Sequence, residues 1–342
     1  MSSRDEFHKI LEECRGEFIS GADAARRLGI SGTAVWKAAR KLKSEGYMIE
    51  SVTNKGYRLR DDSDVLSYDS VSRHLDPSVS DVLTVDVFTS TDSTNNVCKN
   101  KAAEGAPEGY VAVSANQTAG RGRRGRSFYS PSGTGLYLSI LLRPEGLSAR
   151  ESLMFTTMAA VAVCEAIEAV SGKETGIKWV NDIFMDDRKV CGILTEASFD
   201  LESGTLDYAV VGIGINVFTP EGGFPEEIRD TAGAIYSERE ASGYSLSDIR
   251  GRLAAAVISR FMGYYLEAKK KNAAIGDLPA HISEYRKRCI VIGKDINVLM
   301  PGADPAQAHV LDIDDECGLI VRYPDGNQEV LRSGEISIRL SK

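Results

Sequence analysis

Histidine and closely spaced cysteine are what this sequence has least of. Only four histidines occur in 342 residues, and the six cysteines are scattered without a C-x-x-C pair. A disulfide framework and a zinc site both need such residues at short, regular spacing, so neither is expected here. We instead expect reduced, mostly buried thiols in a cytoplasmic protein.

A membrane-spanning segment is also missing from the pattern. The N-terminus has no signal-peptide apolar core. The longest apolar stretch, Leu153–Val170, is interrupted by two threonines and two glutamates. That composition favours a buried helix over a membrane span. We therefore expect no membrane partner.

Charge is unevenly distributed along the chain. The whole sequence has 41 basic and 49 acidic residues and a net charge of −8. Residues 1–60 nevertheless hold 12 lysines and arginines against 8 acidic residues, which leaves about −12 on the remainder. A basic N-terminal block on an acidic body predicts a separate module that contacts nucleic acid.

The first 63 residues predict a winged helix-turn-helix. Helical spacing of apolar residues begins at Phe7, Ser20–Asp23 resembles a capping box for a helix over 22–28, and Gly29 ends that helix. Ser31 then caps a basic helix, and segments 47–53 and 56–60 predict the hairpin of the wing.

We expect this module to bind DNA. The candidate contacts are the polar and basic residues of the third helix and the wing: Ser31, Thr33, Lys37, Arg40, Lys41, Lys55 and Arg58. The alternative is a small helical domain for protein contact, with these side chains merely solvated. The polar residues 61–64 predict a linker.

An α+β domain is predicted over residues 64–287. Apolar, β-rich runs predict strands at 82–88, 110–115, 136–142, 176–179, 190–198 and 206–217. Helical patterns cover 93–104 and 151–170. Strand order does not follow from these patterns.

The most informative segment of that domain is the loop Gly120–Arg126, where four arginines alternate with three glycines. The glycines let backbone N–H groups point into one concavity, and the arginines add positive charge. A phosphate is the anion that suits such a loop. A solvated basic loop is the plain alternative.

Further polar segments accompany the loop. The segment Ser90–Asn95 lies at the start of a predicted helix, and Lys178–Asp182 lies at the end of a predicted strand. Two further strands carry unusual residues: a lysine enters the buried strand Arg188–Glu196, and two glycines lie in the strand Gly212–Asn216. Each has a structural alternative: helix capping for the first, a surface lysine for Lys189, and a turn-capping carboxylate for Asp182.

Together these segments resemble the biotin protein ligases, including bifunctional members that repress biotin-synthesis genes. That family carries G-R-G-R-R-G-R, K-W-P-N-D and R-K-x-x-G-I-L, and this chain has Gly120–Arg126, Lys178–Asp182 and Arg188–Leu194 in the same order. Two departures are visible: Val180 replaces a proline, and Phe128 stands where many relatives have tryptophan.

The resemblance implies an ATP-dependent, AMP-forming ligase. Biotin and ATP would give biotinyl-5′-adenylate and pyrophosphate, and the biotinyl group would pass to a lysine of the biotin carboxyl carrier protein. The implied fold is a class II synthetase-like ligase domain between the winged helix and an SH3-like barrel over 288–342. Mg²⁺ would bind through the ATP phosphates, without a dedicated protein metal site.

Site residues follow from the same resemblance. The implied biotin contacts are Ser93, Thr94, Asn95, Gln117, Arg121, Gly122, Arg123 and Lys189. The implied ATP or adenylate contacts are Arg121, Arg123, Asn181, Lys189 and Asn216. Lys189, Arg123 and Asp182 are the implied catalytic residues. Asp182 could orient Lys189, hold metal through water, or deprotonate the incoming lysine, and the sequence does not rank these roles.

Two later segments complete the expectations. The Gly-, Pro- and charge-rich segment 218–242 predicts a mobile lid over adenine, with Ala232–Tyr236 as the region that covers the base. Short alternating segments from 295 to 331 predict the C-terminal barrel, which either caps the catalytic domain or helps to grip ATP or the acceptor.

The expected function is a ligase that also represses transcription. Adenylate binding would favour a homodimer that places two winged helices on a palindromic operator. The main alternative is a ligase with a non-regulatory N-terminal domain. A DNA-binding sensor without ligase activity and a lipoate or other acyl ligase are the remaining alternatives, and the intact Gly/Arg loop argues against both.

Overall fold

The structure is a computed structural model of the whole chain. It describes residues 2–61, 63–144, 152–199, 205–236, 248–270, 279–299, 304–332 and 335–338. All structural statements below concern these residues.

The N-terminal module is a winged helix, as the sequence predicts. Its three helices and its hairpin strands are α1 Ser3–Glu13, α2 Gly21–Leu28, α3 Gly32–Ser44, β1 Ile49–Val52 and β2 Gly56–Leu59. Phe7, Leu11, Leu42 and Leu59 are fully buried in a core that belongs to this module alone. Helical apolar spacing therefore identifies the faces that pack together.

Two serine caps and one glycine define the limits of the helices in the helix-turn-helix. The Ser20 hydroxyl accepts from the Asp23 backbone N–H at 3.0 Å, and the Ser31 hydroxyl accepts from the Ala34 N–H at 3.2 Å. Gly29 lies between the two helices with φ of 65°, a conformation that glycine adopts without strain. The hydroxyl of Ser20 also donates to the Asp23 carboxylate at 2.7 Å, so only half of the predicted capping box forms.

The segment after β2 is not the solvated linker that its polarity suggests. Ser63 and Asp64 are buried. Asp64 accepts from the Nε of Arg250 at 2.8 Å and from the Arg250 backbone N–H at 3.1 Å. A buried charge needs such a partner, and Arg250 belongs to a helix that the sequence analysis does not predict.

A seven-stranded mixed sheet carries the central domain. Its strands are β3 Thr84–Phe88, β4 Tyr110–Ser114, β5 Gly135–Leu142, β6 Gly176–Lys178, β7 Asp182–Met185, β8 Arg188–Phe199 and β9 Leu206–Asn216. Their order is β3-β4-β5-β9-β8-β7-β6, with β3 and β4 parallel and the other pairs antiparallel. All but the short β7 correspond to predicted strands.

Helices cover this sheet. They are α4 Tyr68–Ser72, α5 Pro77–Ser80, α6 Thr94–Ala103, α7 Ser152–Ser171, α8 Ile249–Lys270 and α9 Pro279–Arg288. Within α7, residues Leu153–Ser171 are long and apolar enough to cross a membrane, but 72% of that stretch is buried inside the protein. It is a core helix, as predicted.

The C-terminal part is a five-stranded antiparallel barrel of the predicted SH3-like kind. Its strands are β10 Asp295–Leu299, β11 Ala306–Ile313, β12 Leu319–Arg322, β13 Gln328–Leu331 and β14 Glu335–Ile338, in the order β13-β12-β11-β10-β14. The strand β14 was not predicted. Buried residues such as Val310 and Val321 join the same hydrophobic core as the central domain. The barrel therefore packs firmly against the central domain.

Candidate functional site

A cavity of about 350 Å³ opens between the Gly/Arg loop, the start of α6 and strands β8 and β9. It brings together the predicted residues Ser93, Thr94, Asn95, Gln117, Arg121, Gly122, Arg123, Asn181, Asp182 and Lys189. These residues come from segments about 100 positions apart in sequence. The size and the mixture of apolar walls with converging polar groups are typical of a small-molecule site.

Glycines on the two central strands make room for this cavity. A Cβ atom at Gly212 would lie 2.0 Å from the Asn95 Oδ1, and one at Gly214 would lie 2.6 Å from the Phe128 ring. A Cβ at Gly192 would lie 3.1 Å from the Lys189 Cε. The strand glycines are therefore explained by close approach of other groups. The Phe128 ring packs against Gly192 and Gly214.

The start of α6 and Gln117 form one polar wall. The Gln117 side-chain oxygen accepts from the Thr94 backbone N–H at 2.9 Å and from the Thr94 hydroxyl at 3.2 Å. Ser93 is the N-cap residue, yet its side chain makes no capping hydrogen bond. Its buried hydroxyl remains beside the cavity, which argues against capping as the reason for this serine.

Ser139 supports that wall and was missed by the sequence analysis. It lies fully buried on β5, opposite Gly212. Its hydroxyl is 2.7 Å from the Thr94 hydroxyl and 2.6 Å from the Asn95 Oδ1. The sequence did contain a signal for this residue, because Ser139 is a polar side chain within the otherwise apolar run of β5.

The Gly/Arg loop is folded onto itself. The Gly122 N–H donates to the Arg126 carbonyl at 2.7 Å, and the Phe128 N–H donates to the Gly120 carbonyl at 2.9 Å. Arg124 has a φ of 56°, in the left-handed region. A Cβ at Gly120 would lie 2.4 Å from the Phe128 carbonyl oxygen, which explains the first glycine of the motif.

Arg121 reaches an acidic residue that the sequence analysis did not single out. Its guanidinium lies 2.8 Å from the Glu196 carboxylate and 2.9 Å from the Asn96 side-chain oxygen. Asn95 and Lys99 also donate to Glu196, at 2.8 and 3.1 Å. Burial alone would raise the pKa of Glu196, but the hydrogen bonds from Asn95 and Lys99 outweigh it, and the pKa is lowered. Glu196 is therefore an anion that holds the loop against α6.

The predicted catalytic cations lie on the opposite side of the cavity. Lys189 Nζ is 2.6 Å from the Asp182 Oδ1. Arg123 donates to the Asn181 side-chain oxygen at 3.0 Å, and the Asn181 side-chain N–H donates to the Ile193 carbonyl at 2.9 Å. Lysine, arginine, amide and carboxylate thus face one space.

A second cavity of about 410 Å³ adjoins the first. Arg123, Asn181, Ile193 and Leu194 line both cavities. The second cavity is also lined by Arg124, Thr156 and Thr195, and by Glu316 and Arg332 of the C-terminal barrel. Leu299 of the barrel reaches the first cavity. The barrel therefore contributes residues to the lining of both cavities.

Asn216 does not line either cavity, in contrast to the other predicted residues. Its side-chain N–H donates to the Gly233 carbonyl at 2.9 Å. The Lys189 N–H donates to the Thr231 carbonyl at 2.8 Å, and the Gly233 N–H donates to the Lys189 carbonyl at 2.9 Å. Asn216 therefore fixes the segment that runs beside Lys189.

This pairing involves part of segment 218–242, which was predicted to be a mobile lid. Thr231, Gly233 and Ile235 are hydrogen-bonded to the backbone of β8 and β9, and Phe218, Ile235 and Tyr236 are buried. The lid itself stays a prediction. Residues 237–242 lie outside the described part of the chain. Of the region predicted to cover adenine, Ala232 and Tyr236 are themselves buried.

The cysteine thiols are mostly buried, as the sequence predicts. Among the described residues, no group of three or more His, Cys, Asp or Glu side chains could hold a metal ion. All six cysteines are free, and all but Cys14 are buried. Burial raises the pKa of the Cys98 thiol to about 12 and that of Cys317 to about 11, so both stay protonated.

Three family models match this chain in the expected order. An HTH domain matches residues 4–58, the biotin/lipoate A/B protein ligase family matches residues 87–216, and the biotin protein ligase C-terminal domain matches residues 291–339. A bifunctional ligase/repressor BirA from Salmonella typhimurium is 30% identical and aligns over 95% of this chain and 94% of its own. The chain belongs to the biotin protein ligase family.

Other members and a solved structure agree with this assignment. A bifunctional ligase/repressor BirA from Bacillus spizizenii is 38% identical over 70% of this chain and 72% of its own. The structure of a biotin protein ligase from Aquifex aeolicus in complex with biotin and ATP is 26% identical, with a TM-score of 0.60. It covers 75% of this chain and 99% of that chain.

The predicted DNA-contact residues of this family member separate into two groups. Thr33, Lys37 and Arg40 are exposed on α3. Lys41 instead pairs with Glu45 at 3.5 Å, and Arg58 pairs with Glu50 at 2.6 Å. Lys55 is exposed, and Ser31 serves as the N-cap of α3. Among the described residues, Lys37, Arg40 and Lys55 form no ion pair, and two of these three cations lie on the outer face of α3.

Proposed function

We propose that this protein activates biotin with ATP and transfers it to a lysine of the biotin carboxyl carrier protein. The observation that carries the proposal is a cavity with Lys189 and Arg123 on one side and the hydroxyl and amide groups of Ser93, Thr94 and Gln117 on the other. Such a site can hold a neutral, hydrogen-bonding head at one end and anionic groups at the other.

The polar wall is the proposed site of the biotin head. Ser93, Thr94, Asn95 and Gln117 offer hydroxyl and amide groups that both donate and accept hydrogen bonds. Ser139 holds Thr94 and Asn95 from behind. The chain of buried hydrogen bonds fixes their orientation before the ligand arrives, which reduces the ordering cost of binding.

The cationic side is the proposed site of chemistry. A biotin carboxylate oxygen attacks the α-phosphorus of ATP, an O–P bond forms, and the bond to the β-phosphate oxygen breaks to release pyrophosphate. Two anions must approach each other, so fixed cations lower the barrier. Lys189 would lie between carboxylate and α-phosphate, and the adjoining cavity, with Arg123 and Arg124, would accept the outer phosphates.

In the second step the acceptor lysine amine attacks the acyl carbon of the adenylate. An amide bond forms, the acyl–oxygen bond breaks, and AMP leaves. The adenylate is a mixed anhydride that water destroys, so the folded loop 120–126 would shield it. Arg123, fixed to Asn181, would hold the loop near the adenylate.

For Asp182 we favour the orienting role, because its carboxylate lies 2.6 Å from the Lys189 ammonium. The residues also fit Mg²⁺, since one carboxylate together with substrate phosphates is its usual protein environment. Asp182 would hold the ion together with the ATP phosphates, and the ion would neutralise phosphate charge when bound. Asn216 would act indirectly, through the segment that it holds beside Lys189.

Biotin-dependent pyrophosphate release tests the ligase assignment. Lys189→Ala should abolish release, because the side chain that would join the two anions is lost, while the protein keeps its fold. Lys101→Ala is the matched control, since Lys101 pairs only with Glu104 on the surface of α6. Normal release by Lys189→Ala would show that another cation does this work.

The winged helix would make the same protein a biotin-responsive repressor of biotin-synthesis genes. We propose that the adenylate favours a homodimer, which binds a palindromic operator through two copies of α3. Ligand can shift that equilibrium only by interacting differently with monomer and dimer. The division of labour would be DNA binding by residues 1–63, catalysis by 64–287 and substrate support by 288–342, in the cytoplasm.

Operator binding with and without biotin plus MgATP tests the repressor half. Binding should strengthen with the ligands, and sedimentation should show the dimer under the same conditions. If the ligands leave both binding and mass unchanged at moderate salt, the protein is a ligase with a non-regulatory N-terminal domain.

A further inference from the structure

Trp36 is exposed where the fold does not need it. It is one of only two tryptophans in the chain and is 49% exposed on α3. The buried side of α3 is formed by other residues, namely Val35, Ala38, Ala39 and Leu42. Exposing the large apolar surface of an indole to water is energetically unfavourable. A half-exposed indole on a small domain therefore indicates a contact with a partner.

The surroundings of Trp36 are cationic. Helical spacing places Thr33 and Arg40 beside Trp36, at i−3 and i+4, while Lys37 lies on the adjoining side of the same exposed surface; all three are exposed. The Arg40 guanidinium carbon lies 5.4 Å from the centre of the Trp36 ring. Within the described residues, no acidic side chain lies within ion-pair distance of Lys37 or Arg40. The indole therefore sits in an uncompensated positive field.

This combination selects DNA as the occupant. An apolar protein surface would not match the unpaired lysine and arginine, whereas phosphates on both sides of a major groove would. The floor of that groove presents one apolar group, the C5 methyl of thymine. An indole flanked by cations is complementary to that pattern.

We propose that Trp36 reads thymine in the operator by covering its C5 methyl group, with Arg40 held against the indole as both enter the major groove. The inference rests on the proposed repressor function and adds to it a residue that determines specificity. Lys37, by contrast, acts on phosphate and contributes affinity without sequence preference.

Selection from a randomised duplex pool tests this with the full-length protein, biotin and MgATP. The wild type should enrich sites with thymine at fixed positions. Trp36→Ala should lose the preference there and bind the wild-type site roughly 10-fold more weakly, with an unchanged salt dependence. Lys37→Ala should keep the preference and reduce the slope of log affinity against log salt by about 1.

Uracil in place of the enriched thymines removes only the methyl group. It should weaken wild-type binding several-fold and leave Trp36→Ala unaffected, as a double-mutant cycle requires. Tyr68→Ala is the matched control, because Tyr68 is an exposed aromatic (58%) on α4 and should behave as wild type.

The outcomes separate the two proposals. If the wild type enriches a site but Trp36→Ala enriches the same thymines, or if uracil has no effect on the wild type, the reading role of Trp36 is wrong and the repressor stands. If the wild type enriches nothing, the repressor function fails and the inference fails with it.

Discussion

The four arginines of the loop 120–126 do not have equivalent roles. Arg121 points back to Glu196 and Asn96, whereas Arg123 crosses to Asn181, next to Asp182, the partner of Lys189. Alternating glycine and arginine in the sequence could not distinguish them, because the distinction depends on partners 25 to 75 residues away. At the residue scale, Arg123 therefore connects the loop to the proposed catalytic side of the cavity.

Arg123→Gly should release the adenylate before transfer. The change removes the contact with Asn181 and adds a flexible residue to the loop, so the intermediate would be held less tightly. The expected readout is biotin attached to bystander proteins in a mixture with biotin and MgATP. Arg26→Ala, on an exposed part of α2, is the control that should not label them. Retention of the adenylate by Arg123→Gly would contradict the shielding role of the loop.

Ser139→Ala should weaken biotin binding without stopping the reaction. Loss of a hydroxyl that contacts both Thr94 and Asn95 costs about 1 kcal/mol or more, so the KM for biotin should rise about 10-fold. Ser171→Ala is the matched control, because Ser171 is also buried but its hydroxyl bonds only to backbone groups at the end of α7, the Ile167 carbonyl and the Lys173 N–H, away from the cavity. An unchanged KM for biotin would mean that the hydroxyl does not support the ligand wall.

At the scale of elements, the turn between β6 and β7 is held from outside the sheet. The Trp179 indole N–H donates to the Cys317 carbonyl of the barrel at 3.0 Å. The Tyr285 hydroxyl of α9 donates to the Val180 carbonyl at 3.1 Å. Asn181 and Asp182 follow directly, so α9 and the barrel hold the turn that leads into the residues proposed to face the phosphates.

Tyr285→Phe should separate binding from chemistry. The ring stays in place, but the turn loses one anchor, so pyrophosphate release should slow several-fold while calorimetric biotin affinity stays the same. Tyr264→Phe loses a comparable hydroxyl, directed at Glu165 on α7, and serves as the control. Equal losses of rate in both variants would indicate general destabilisation and not positioning.

The elements that the sequence predicted share a simple local signal. Capped helices with one apolar stripe, such as α2 and α3, and apolar strands bounded by polar residues were found near their true limits. The helix α8 was missed because it packs against α7, α4 and α5 and shows no single apolar stripe. The strand β7 was too short for a period-2 pattern.

The residues of the candidate site, like the helices and strands, include some that the sequence predicted and some that it did not. Motif residues that carry charge or an amide were identified because the resemblance marks them, and all of them except Asn216 line the main cavity. Ser139 and Glu196 were missed because their role depends on which strand positions face α6 and Gly212. Those positions are set by the register of strand pairing, which cannot be predicted from the local sequence of one strand.

At the scale of the whole molecule, charged contacts join the winged helix to the catalytic domain. Glu12 of α1 lies 2.6 Å from Arg73, and the His8 ring nitrogen of α1 lies 3.3 Å from the Asp69 carboxylate of α4. Burial would raise the pKa of Glu12, but hydrogen bonds from His8, Arg15 and Arg73 lower it strongly. Next to these contacts, Arg250 and Asp64 form a buried pair. The module is thus fixed in orientation by groups outside its own core.

Arg250→Met should destabilise the protein by about 3–5 kcal/mol, because the buried Asp64 carboxylate loses the positive charge that is paired with it. The double variant Asp64→Leu/Arg250→Met should recover much of that loss, since an apolar pair replaces both charges. Thermal unfolding of the two single variants and the double variant measures this. A single variant with wild-type stability would mean that the pair does not hold the junction.

The central claim is that one cationic, polar-ended cavity joins biotin to ATP for transfer to a protein lysine. The most direct measurement is the intact mass of a biotin carboxyl carrier domain after incubation with the full-length protein, MgATP and either biotin or lipoate. The account predicts one biotinyl group per carrier, none with lipoate, and none with the Lys189→Ala protein. An unmodified carrier with biotin, or a lipoyl group in its place, would contradict it.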